Sequence, residues 1–347
     1  MKKVLLGATA LSLVGLAGAA SAQEWSVRTG GFMTAGIGYV DSDLHNAEIE
    51  IVNNAEVIFN FTLVADNGIK FGGKVEFEAN GSSENADEYV ATASGSFGAI
   101  EIGREDGAGD RLLGAAAGST SFTAAADEAG LLFDYASAES AGVVVTDGAD
   151  TGDDIKITYF TPSFSGFKAG VSYTPGQGGS GGTSTVGNNV LPPVGNGDNS
   201  REGFELGAQY KGSFNDVSVF VGANYIDFLS DEAAFDNSYA AVLNIGYAGF
   251  TVGGIYGQAD ANATGAEDRT GYGFGVNYET GPWLFGAQVA IGADDQEDIT
   301  GYSIGVDYAL APGVTAGVVG EYAQNDQSGV TTNDDSFAVG VFTNFNF

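Results

Sequence analysis

Residues 57–78 read VIFNFTLVADNGIKFGGKVEFE, and this stretch decides the fold. The odd positions from Val57 to Ala65 are apolar, and Asn60 and Thr62 lie between them. A tight-turn signal, Asp66-Asn67-Gly68, separates this run from a second one that has apolar odd positions and Lys, Gly or Glu at the even ones. A period of two is that of a β-strand, and Asn-Gly between two such runs favours a hairpin turn. The stretch therefore predicts a hairpin with one apolar face and one charged face.

The same alternation recurs along the chain and predicts sixteen strands. Short connections such as 163–166, 213–215 and 311–313 alternate with longer polar ones. Short turns at one end and long loops at the other are typical of an up-and-down membrane barrel, and bacterial barrels have an even number of strands. Fourteen or eighteen strands are the alternatives, because predicted strand ends carry errors of about two to four residues. The predicted spans are 26–40, 47–65, 69–79, 87–96, 99–104, 154–162, 167–174, 202–212, 216–228, 237–248, 250–259, 269–279, 283–292, 298–309, 314–324 and 335–347.

The width of such a barrel determines which face of its strands contacts water. A sixteen-stranded barrel is too wide for its side chains to fill, so the lumen holds water and the apolar face meets lipid. We therefore predict an all-β fold, a transmembrane antiparallel β-barrel. The alternative is a soluble β-sandwich or β-helix with an aromatic core. Aromatic residues near the predicted strand ends fit the interfacial girdles of a membrane barrel; they are Tyr39, Tyr173, Tyr210, Tyr247, Tyr278, Trp283, Tyr308 and Tyr322.

The first 22 residues are predicted to be a cleaved secretory signal peptide. Lys2 and Lys3 precede an apolar or small-residue stretch, and Ala20-Ser21-Ala22 forms an A-x-A cleavage site before Gln23. Residues 23–347 then form the barrel. No later run of about 18 apolar residues predicts a spanning helix.

Charge and composition exclude several classes of function. The formal charge is -33, and removing the two signal lysines from the 12 basic residues leaves ten against 45 acids, a net -35. Such a charge argues against a nucleic-acid partner. The chain has no cysteine, and its single histidine, His45, lies in a predicted loop. We therefore expect no enzyme activity, no zinc or copper site and no organic cofactor.

Acidic runs leave open a weak calcium site. Carboxylate oxygens are the ligands that Ca²⁺ prefers, although no run matches an EF-hand loop. The alternative is a solvated, self-repelling loop. The candidate ligands are Asp147, Asp150, Asp153 and Asp154.

Residues 105–153 interrupt the alternation and are rich in Ala, Gly and acids. A segment this long without strand pattern is usually functional or disordered. It either folds inward and narrows the channel or forms an external loop. If it folds inward, its acids would face a cationic wall and set a transverse field across the lumen. Arg104 falls on the outward parity at a strand end, whereas the cations on the lumen parity are Arg28, Lys70, Lys74, Lys156 and Lys168.

Three stretches resemble the trimeric general porins of alphaproteobacteria, of the Rhodobacter type. They are residues 26–32 (SVRTGGF), residues 97–104 (FGAIEIGR) and the terminal Asn344-Phe345-Asn346-Phe347. The resemblance implies a sixteen-stranded homotrimer whose long third loop folds into each lumen as an eyelet. It also implies that the outer-membrane assembly machinery recognises the C-terminal strand ending in Phe347. Outer-membrane lipid and lipopolysaccharide would surround the barrel.

By position, the same resemblance implies a set of eyelet residues. The acidic side would be Asp106, Asp110, Asp127, Glu128 and Asp134, and the basic wall would be Arg28, Lys70, Lys74 and Arg104.

The predicted function is an outer-membrane general diffusion porin. It would form a water-filled channel for passive passage of small hydrophilic solutes and ions, and the net charge favours cations. The alternatives are a solute-specific outer-membrane channel and a soluble secreted β-rich surface protein.

Overall fold

The structure of the protein is a computed structural model. It describes residues 24–42, 48–79, 86, 88–122, 149–175, 202–230, 233, 235–262, 268–293, 297–327 and 334–347. The predicted signal peptide lies outside the described residues. No helix among those residues is both long and apolar enough to span a bilayer.

Sixteen antiparallel strands form one closed barrel, in which each strand pairs with its neighbours in sequence and β1 pairs with β16. The predicted fold class and strand count are confirmed. The strands are Ser26–Ser42 (β1), Glu48–Val64 (β2), Lys70–Glu78 (β3), Tyr89–Gly95 (β4), Gly98–Arg104 (β5), Ile155–Phe160 (β6), Phe167–Thr174 (β7), Gly203–Phe214 (β8), Val217–Phe228 (β9), Phe235–Tyr247 (β10), Phe250–Ala261 (β11), Arg269–Thr280 (β12), Trp283–Ala293 (β13), Glu297–Ala311 (β14), Val314–Gln327 (β15) and Asp334–Asn346 (β16).

The pairing register sorts side chains by face as the alternation predicts. In the β2–β3 hairpin Asn60 lies opposite Lys74, whereas Phe59 lies opposite Val75. Apolar side chains on the outer face are strongly exposed: Ile304 is 62% exposed and Phe274 is 60% exposed. A contiguous exposed apolar surface of this kind indicates a hydrocarbon environment.

The two ends of the barrel differ in their connections. Tight turns join each even-numbered strand to the next odd-numbered one, from β2 and β3 to β14 and β15. Several of these turns contain a glycine with positive φ, such as Gly68 and Gly249. We call this the turn end and the opposite end the loop end. The chain terminus also lies at the turn end, where the Phe347 N–H donates to the Gly31 carbonyl at 3.1 Å and the Gly31 N–H donates to the Phe347 carbonyl. The last residue thus belongs to the seam that closes the barrel.

Aromatic rings pair across adjacent strands near both ends. At the turn end Phe250 stacks on Tyr278 at 4.3 Å between ring centroids, and Trp283 meets Tyr308 at 4.5 Å. At the loop end Tyr173 packs on Phe204 at 4.8 Å. Two aromatic belts that flank an apolar band match the girdles of membrane barrels.

Replacing Ile304 by Lys tests the orientation of the outer face. Ile304 lies in the middle of β14. A lysine there should lower the free energy of unfolding by about 2–4 kcal/mol, because its charge enters hydrocarbon. Ile304→Leu is the matched control and should stay close to wild type. Equilibrium unfolding in urea, with the barrel inserted in phospholipid vesicles, measures both; equal stability of the two variants would contradict the assignment.

Candidate functional site: the inner loop and the lumen charges

The long loop between β5 and β6 is described at residues 105–122 and 149–154, and these parts lie against the lumen face of the wall. We call them the inner loop. It contains one short helix, α1 (Ala108–Leu113), which packs on β7, β8 and β9. At the end of α1, Leu113 joins a buried cluster with Val242 and Ile255. Further along, Phe122 stacks on Phe342 of β16 at 5.2 Å. The loop therefore follows the inner wall from β6 around to β16.

Glycines on the lumen face make room for the backbone of the inner loop. A Cβ atom on Gly207 would overlap the Ala108 carbonyl, and one on Gly222 would overlap the Leu113 carbonyl. Farther along, Gly275 and Gly286 make the same room for the carbonyls of Ala117 and Gly118, whereas Gly305 and Gly317 make room for the side chains of Thr120 and Phe122. At the first four of these glycines the absence of a side chain lets two backbones approach closely.

Buried polar side chains of the wall satisfy the backbone at the root of the loop. Glu205 of β8 has no exposed surface, and its carboxylate accepts hydrogen bonds from the Gly109 N–H at 3.0 Å and the Thr151 N–H at 3.2 Å. The Thr151 hydroxyl also donates to Glu205. Ser172 accepts from the Ala108 N–H at 2.8 Å. Both limbs of the loop thus meet at one carboxylate.

Two asparagines repeat this anchoring farther around the wall. Asn244 of β10 accepts from the Ala117 N–H at 2.9 Å and donates to the Ala115 carbonyl at 2.9 Å. Asn277 of β12 accepts from the Gly118 N–H at 2.7 Å and donates to the Ser119 carbonyl at 2.8 Å. An amide side chain offers both a donor and an acceptor, so each one replaces the partner strand that a loop backbone lacks.

Lys156 lies on the lumen face as predicted, but the loop covers it. Its side chain is buried, and its ammonium group donates to the carbonyls of Glu105, Gly152 and Asp154. It therefore ties the two limbs together and does not line the water-filled lumen.

At the loop end of β3 to β5, carboxylates surround a single lysine. We call Glu76, Glu88, Glu105 and Asp106 the acidic cluster. Lys74 forms ion pairs with Glu76 at 2.6 Å, Glu88 at 2.7 Å and Glu105 at 2.6 Å. Carboxylate oxygens of Glu88, Glu105 and Asp106 lie within 4.8 Å of one another. The cluster carries four acids against one cation, so its net charge is negative when all are ionised.

Burial and mutual repulsion raise the pKa values of Glu88 and Asp106, two acids of the cluster that lie in connections between strands. Desolvation raises the pKa of Asp106 to about 8, and repulsion from Asp110, Asp153 and Asp150 adds to it. Desolvation also raises the pKa of Glu88 to about 7, although its ion pair with Lys74 opposes the shift. Groups this close titrate as a coupled pair. The cluster therefore gains negative charge across neutral pH.

The structure brings together only some of the predicted eyelet residues. Asp106 and Asp110 lie in the inner loop and interact electrostatically. Lys74 reaches the acids directly, at ion-pair distance, and does not face them across the lumen. Arg28 and Lys70 are exposed toward the turn end, and Lys70 lines one lumen cavity together with Lys74 and Glu105. Predicted members that lie outside the described residues are Asp127, Glu128 and Asp134.

Arg104 does not lie on the lumen wall. The register places it opposite Tyr89, which is 37% exposed on the outer face, and two residues after Ile102, which is 56% exposed. Its Nε donates to the Asp153 carbonyl at 3.2 Å. Strict alternation therefore holds to the end of β5, and the resemblance that placed Arg104 in the pore wall is not supported by this position.

The predicted calcium ligands are not gathered into a described site. Asp147 lies outside the described residues, and Asp150 accepts from the Gly152 N–H at 2.7 Å in a local turn. The carboxylates that do converge among the described residues are those of the acidic cluster, and Lys74 already neutralises part of their charge.

Sequence reasoning missed the anchors of the inner loop. Glu205 carries a signal, because it is an acid on the lumen parity of a strand, but nothing local shows which distant backbone it contacts. Asn244 and Asn277 look like ordinary lumen amides for the same reason. Arg111 was also missed; its guanidinium pairs with Glu101 at 2.6 Å.

Glu205→Ala tests the anchor at the loop root. The N–H groups of Gly109 and Thr151 would remain buried without this acceptor, at a cost of about 1–3 kcal/mol each. The loop should then leave the wall, and single-channel recordings should show larger current fluctuations. Glu205→Gln keeps one acceptor oxygen and should be intermediate. A Glu205→Ala channel whose current fluctuations and heat stability equal those of the wild type would show that the anchor is dispensable.

Gly222→Ala tests the close approach of loop and wall. The new Cβ would overlap the Leu113 carbonyl, so the variant should lose about 1–3 kcal/mol of stability, as overpacked sites do. Gly320→Ala is the matched control, because its Cβ would meet Ile304 at an ordinary 3.6 Å. The temperature at which the folded barrel converts to the unfolded gel form measures both variants. Equal temperatures would contradict the close packing.

Comparison with known proteins agrees with this architecture. A family model described as Gram-negative porin matches residues 7–329. Comparison with curated protein sequences gave no match.

Solved porin structures share the fold over nearly the whole chain. An anion-selective porin from Comamonas acidovorans is 16% identical, with a TM-score of 0.65 over 93% of this chain and 100% of that one. A variant of the Rh. blastica porin is 19% identical, with a TM-score of 0.58 over the same shares. A loop L8 deletion mutant of OmpT, an outer membrane protein of Vibrio cholerae, is 16% identical, with a TM-score of 0.62 over 93% of this chain and 99% of that one.

The family match covers most of the chain, and the closed barrel with its apolar outer face provides the structure that the family requires. The chain is therefore a multi-pass β-barrel of the outer membrane and belongs to the Gram-negative porin family.

Proposed function

We propose that this porin is a general diffusion channel that passes small hydrophilic solutes and prefers cations. The acidic cluster beside the inner loop carries the proposal, because it sets a negative potential inside the lumen. Rings or clusters of acids favour cations in a water-filled pore. The net charge of the chain, -33 before removal of the signal peptide, has the same sign.

The fold alone does not fix the selectivity. A structure described as an anion-selective porin shares the barrel at 16% identity. The sign must therefore come from the lumen side chains. Here the acidic cluster is made of four carboxylates around Lys74, and the ion pairs with Lys74 leave an excess of acid.

The further parts of the proposal rest on the resemblance to the Rhodobacter-type porins. The chain acts without catalysis and without a cofactor, assembles as a homotrimer and contacts lipopolysaccharide. Its last strand, which ends in Phe347 at the closing seam, presents the signal for the assembly machinery. The turn end then faces the periplasm and the loop end faces outward. Detergent extracts should show a trimer that resists dissociation until heated; a monomer at every temperature would contradict the assembly.

The preference of the channel for cations should increase with pH. Between pH 6 and pH 9 the raised pKa values of Glu88 (about 7) and Asp106 (about 8) imply that both carboxyls change from mostly neutral to mostly charged. Reversal potentials in a tenfold KCl gradient across a planar bilayer should therefore move further toward the cation limit. Asp106→Asn should flatten this pH dependence.

Asp216→Asn is the matched control, since Asp216 lies in the exposed β8–β9 turn far from the inner loop. It should keep the pH dependence of the wild type. Reversal potentials on the anion side at pH 9 would refute the cation preference, and a pH dependence unchanged by Asp106→Asn would refute the role of the cluster.

A further inference from the structure

Three cations meet where α1 of the inner loop packs on β7 and β8. We call Arg111, Lys168 and Lys211 the basic cluster. The Arg111 guanidinium carbon lies 4.6 Å from the centroid of the Phe160 ring, and the Lys168 ammonium lies 4.4 Å from the same centroid. The Lys211 ammonium lies 5.2 Å from the Phe220 ring centroid. Ring faces stabilise cations electrostatically, so they hold all three groups in place.

The strand register explains why these cations converge. Lys168 of β7 lies opposite Gln209 of β8, and Lys211 follows two residues later on the same lumen face. Diagonal neighbours of this kind lie about 7–8 Å apart between backbones, within reach of long side chains. Arg111 comes from α1, whose Ala108 packs directly above Gly170 of β7. The inner loop thus adds its cation to a pair that the wall already presents.

The positive charge of the basic cluster is only partly balanced. Within the described part of the chain, its ion-pair partner is Glu101, which binds Arg111 at 2.6 Å. The Lys168 ammonium is repelled by both Arg111 and Lys211 and attracted by Glu101. Glu105 and Asp106 of the acidic cluster also attract Arg111, so the excess positive charge lies with Lys168 and Lys211. Lys211 is exposed to the lumen and Lys168 is half-buried, so a solute in the lumen can reach them.

The position along the channel axis separates Lys168 and Lys211 from the acidic cluster. Lys168 is the second residue of β7 after its tight turn, and Lys211 lies near the end of β8 that enters the next turn. The acidic cluster lies at the loop end of β3 to β5. An anion that enters from the turn end therefore meets cations before it meets the repelling carboxylates.

We infer that the basic cluster is an anion-binding subsite inside the channel, and that it takes small multivalent oxyanions of the phosphate type. One guanidinium and two ammonium groups match the donors that bind phosphate oxygens, and a divalent anion balances the excess charge. The low-dielectric wall strengthens the attraction above that of the same charges in bulk water. The inference rests on the proposed function, because the subsite needs an open, water-filled lumen.

Inorganic phosphate is the probe for this subsite. Wild-type channels in planar bilayers, in about 0.1 M KCl at pH 7.5, should show a saturable decrease of current as phosphate is added. The effect should be stronger when phosphate enters from the turn end. Lys168→Gln/Lys211→Gln should raise the half-effect concentration at least about tenfold, which is the change expected from losing charge-assisted hydrogen bonds.

Arg28→Gln is the control for the single variant Lys211→Gln, because it removes one exposed lumen cation at the same end of the barrel but on β1. It should leave the half-effect concentration within about twofold of wild type, since Arg28 is not one of the proposed phosphate ligands. An equal increase in Arg28→Gln and Lys211→Gln would show a general lumen field in place of a subsite and would overturn the inference.

Folding and the proposed function are checked separately. Heat-modifiable gel mobility shows whether each variant forms the barrel; if the double variant does not fold, Lys211→Gln alone is used, with Lys211→Arg expected to keep the phosphate effect. A conducting wild-type channel whose current does not respond to phosphate would overturn the subsite alone. A wild-type chain that forms no channel would instead contradict the proposed function.

Discussion

A loop that lies inside a barrel has to pair its backbone polar groups with the wall, and this constraint shapes the whole lumen. Strand edges cannot supply the partners, because the barrel is closed and each strand already has two neighbours. The partners therefore come from side chains: the Glu205 carboxylate and the amides of Asn244 and Asn277. Glycines between them allow the approach. Anchors and gaps together fix the path of the loop.

The barrel could be predicted from the sequence because its pattern is local. Alternation from Val57 to Phe77 gives strand, face and turn at once, and each later hairpin repeats the same logic. The site could be predicted only in part. Parity gives the face of a residue, which is why the lumen placement of Lys74 and Lys156 is correct. It gives neither axial height nor distant neighbours, so the burial of Lys156 and the partners of Lys74 could not be foreseen.

The lumen charges are separated along the channel axis as well as across it. The sequence suggested an acidic loop opposite a basic wall, which would produce a purely transverse field. In the structure Lys74 lies among the acids at the loop end, whereas Lys168 and Lys211 lie at the turn end. An ion that crosses the channel therefore meets potentials of opposite sign in sequence. Acids near the loop root would set the selectivity, while the cations would act on anions that arrive from the other side.

The loop root depends on buried charges, which is an expensive way to hold a segment in place. Glu205 has no exposed surface, and a carboxylate in that position is tolerated only when hydrogen bonds and a countercharge compensate for lost hydration. Three donors from Gly109 and Thr151 supply the hydrogen bonds, and the buried Lys156 ammonium attracts Glu205 electrostatically. Any displacement of the loop would leave one of these buried charges without its partners. That penalty keeps the root fixed, so the charges that the loop carries stay at a defined height in the channel.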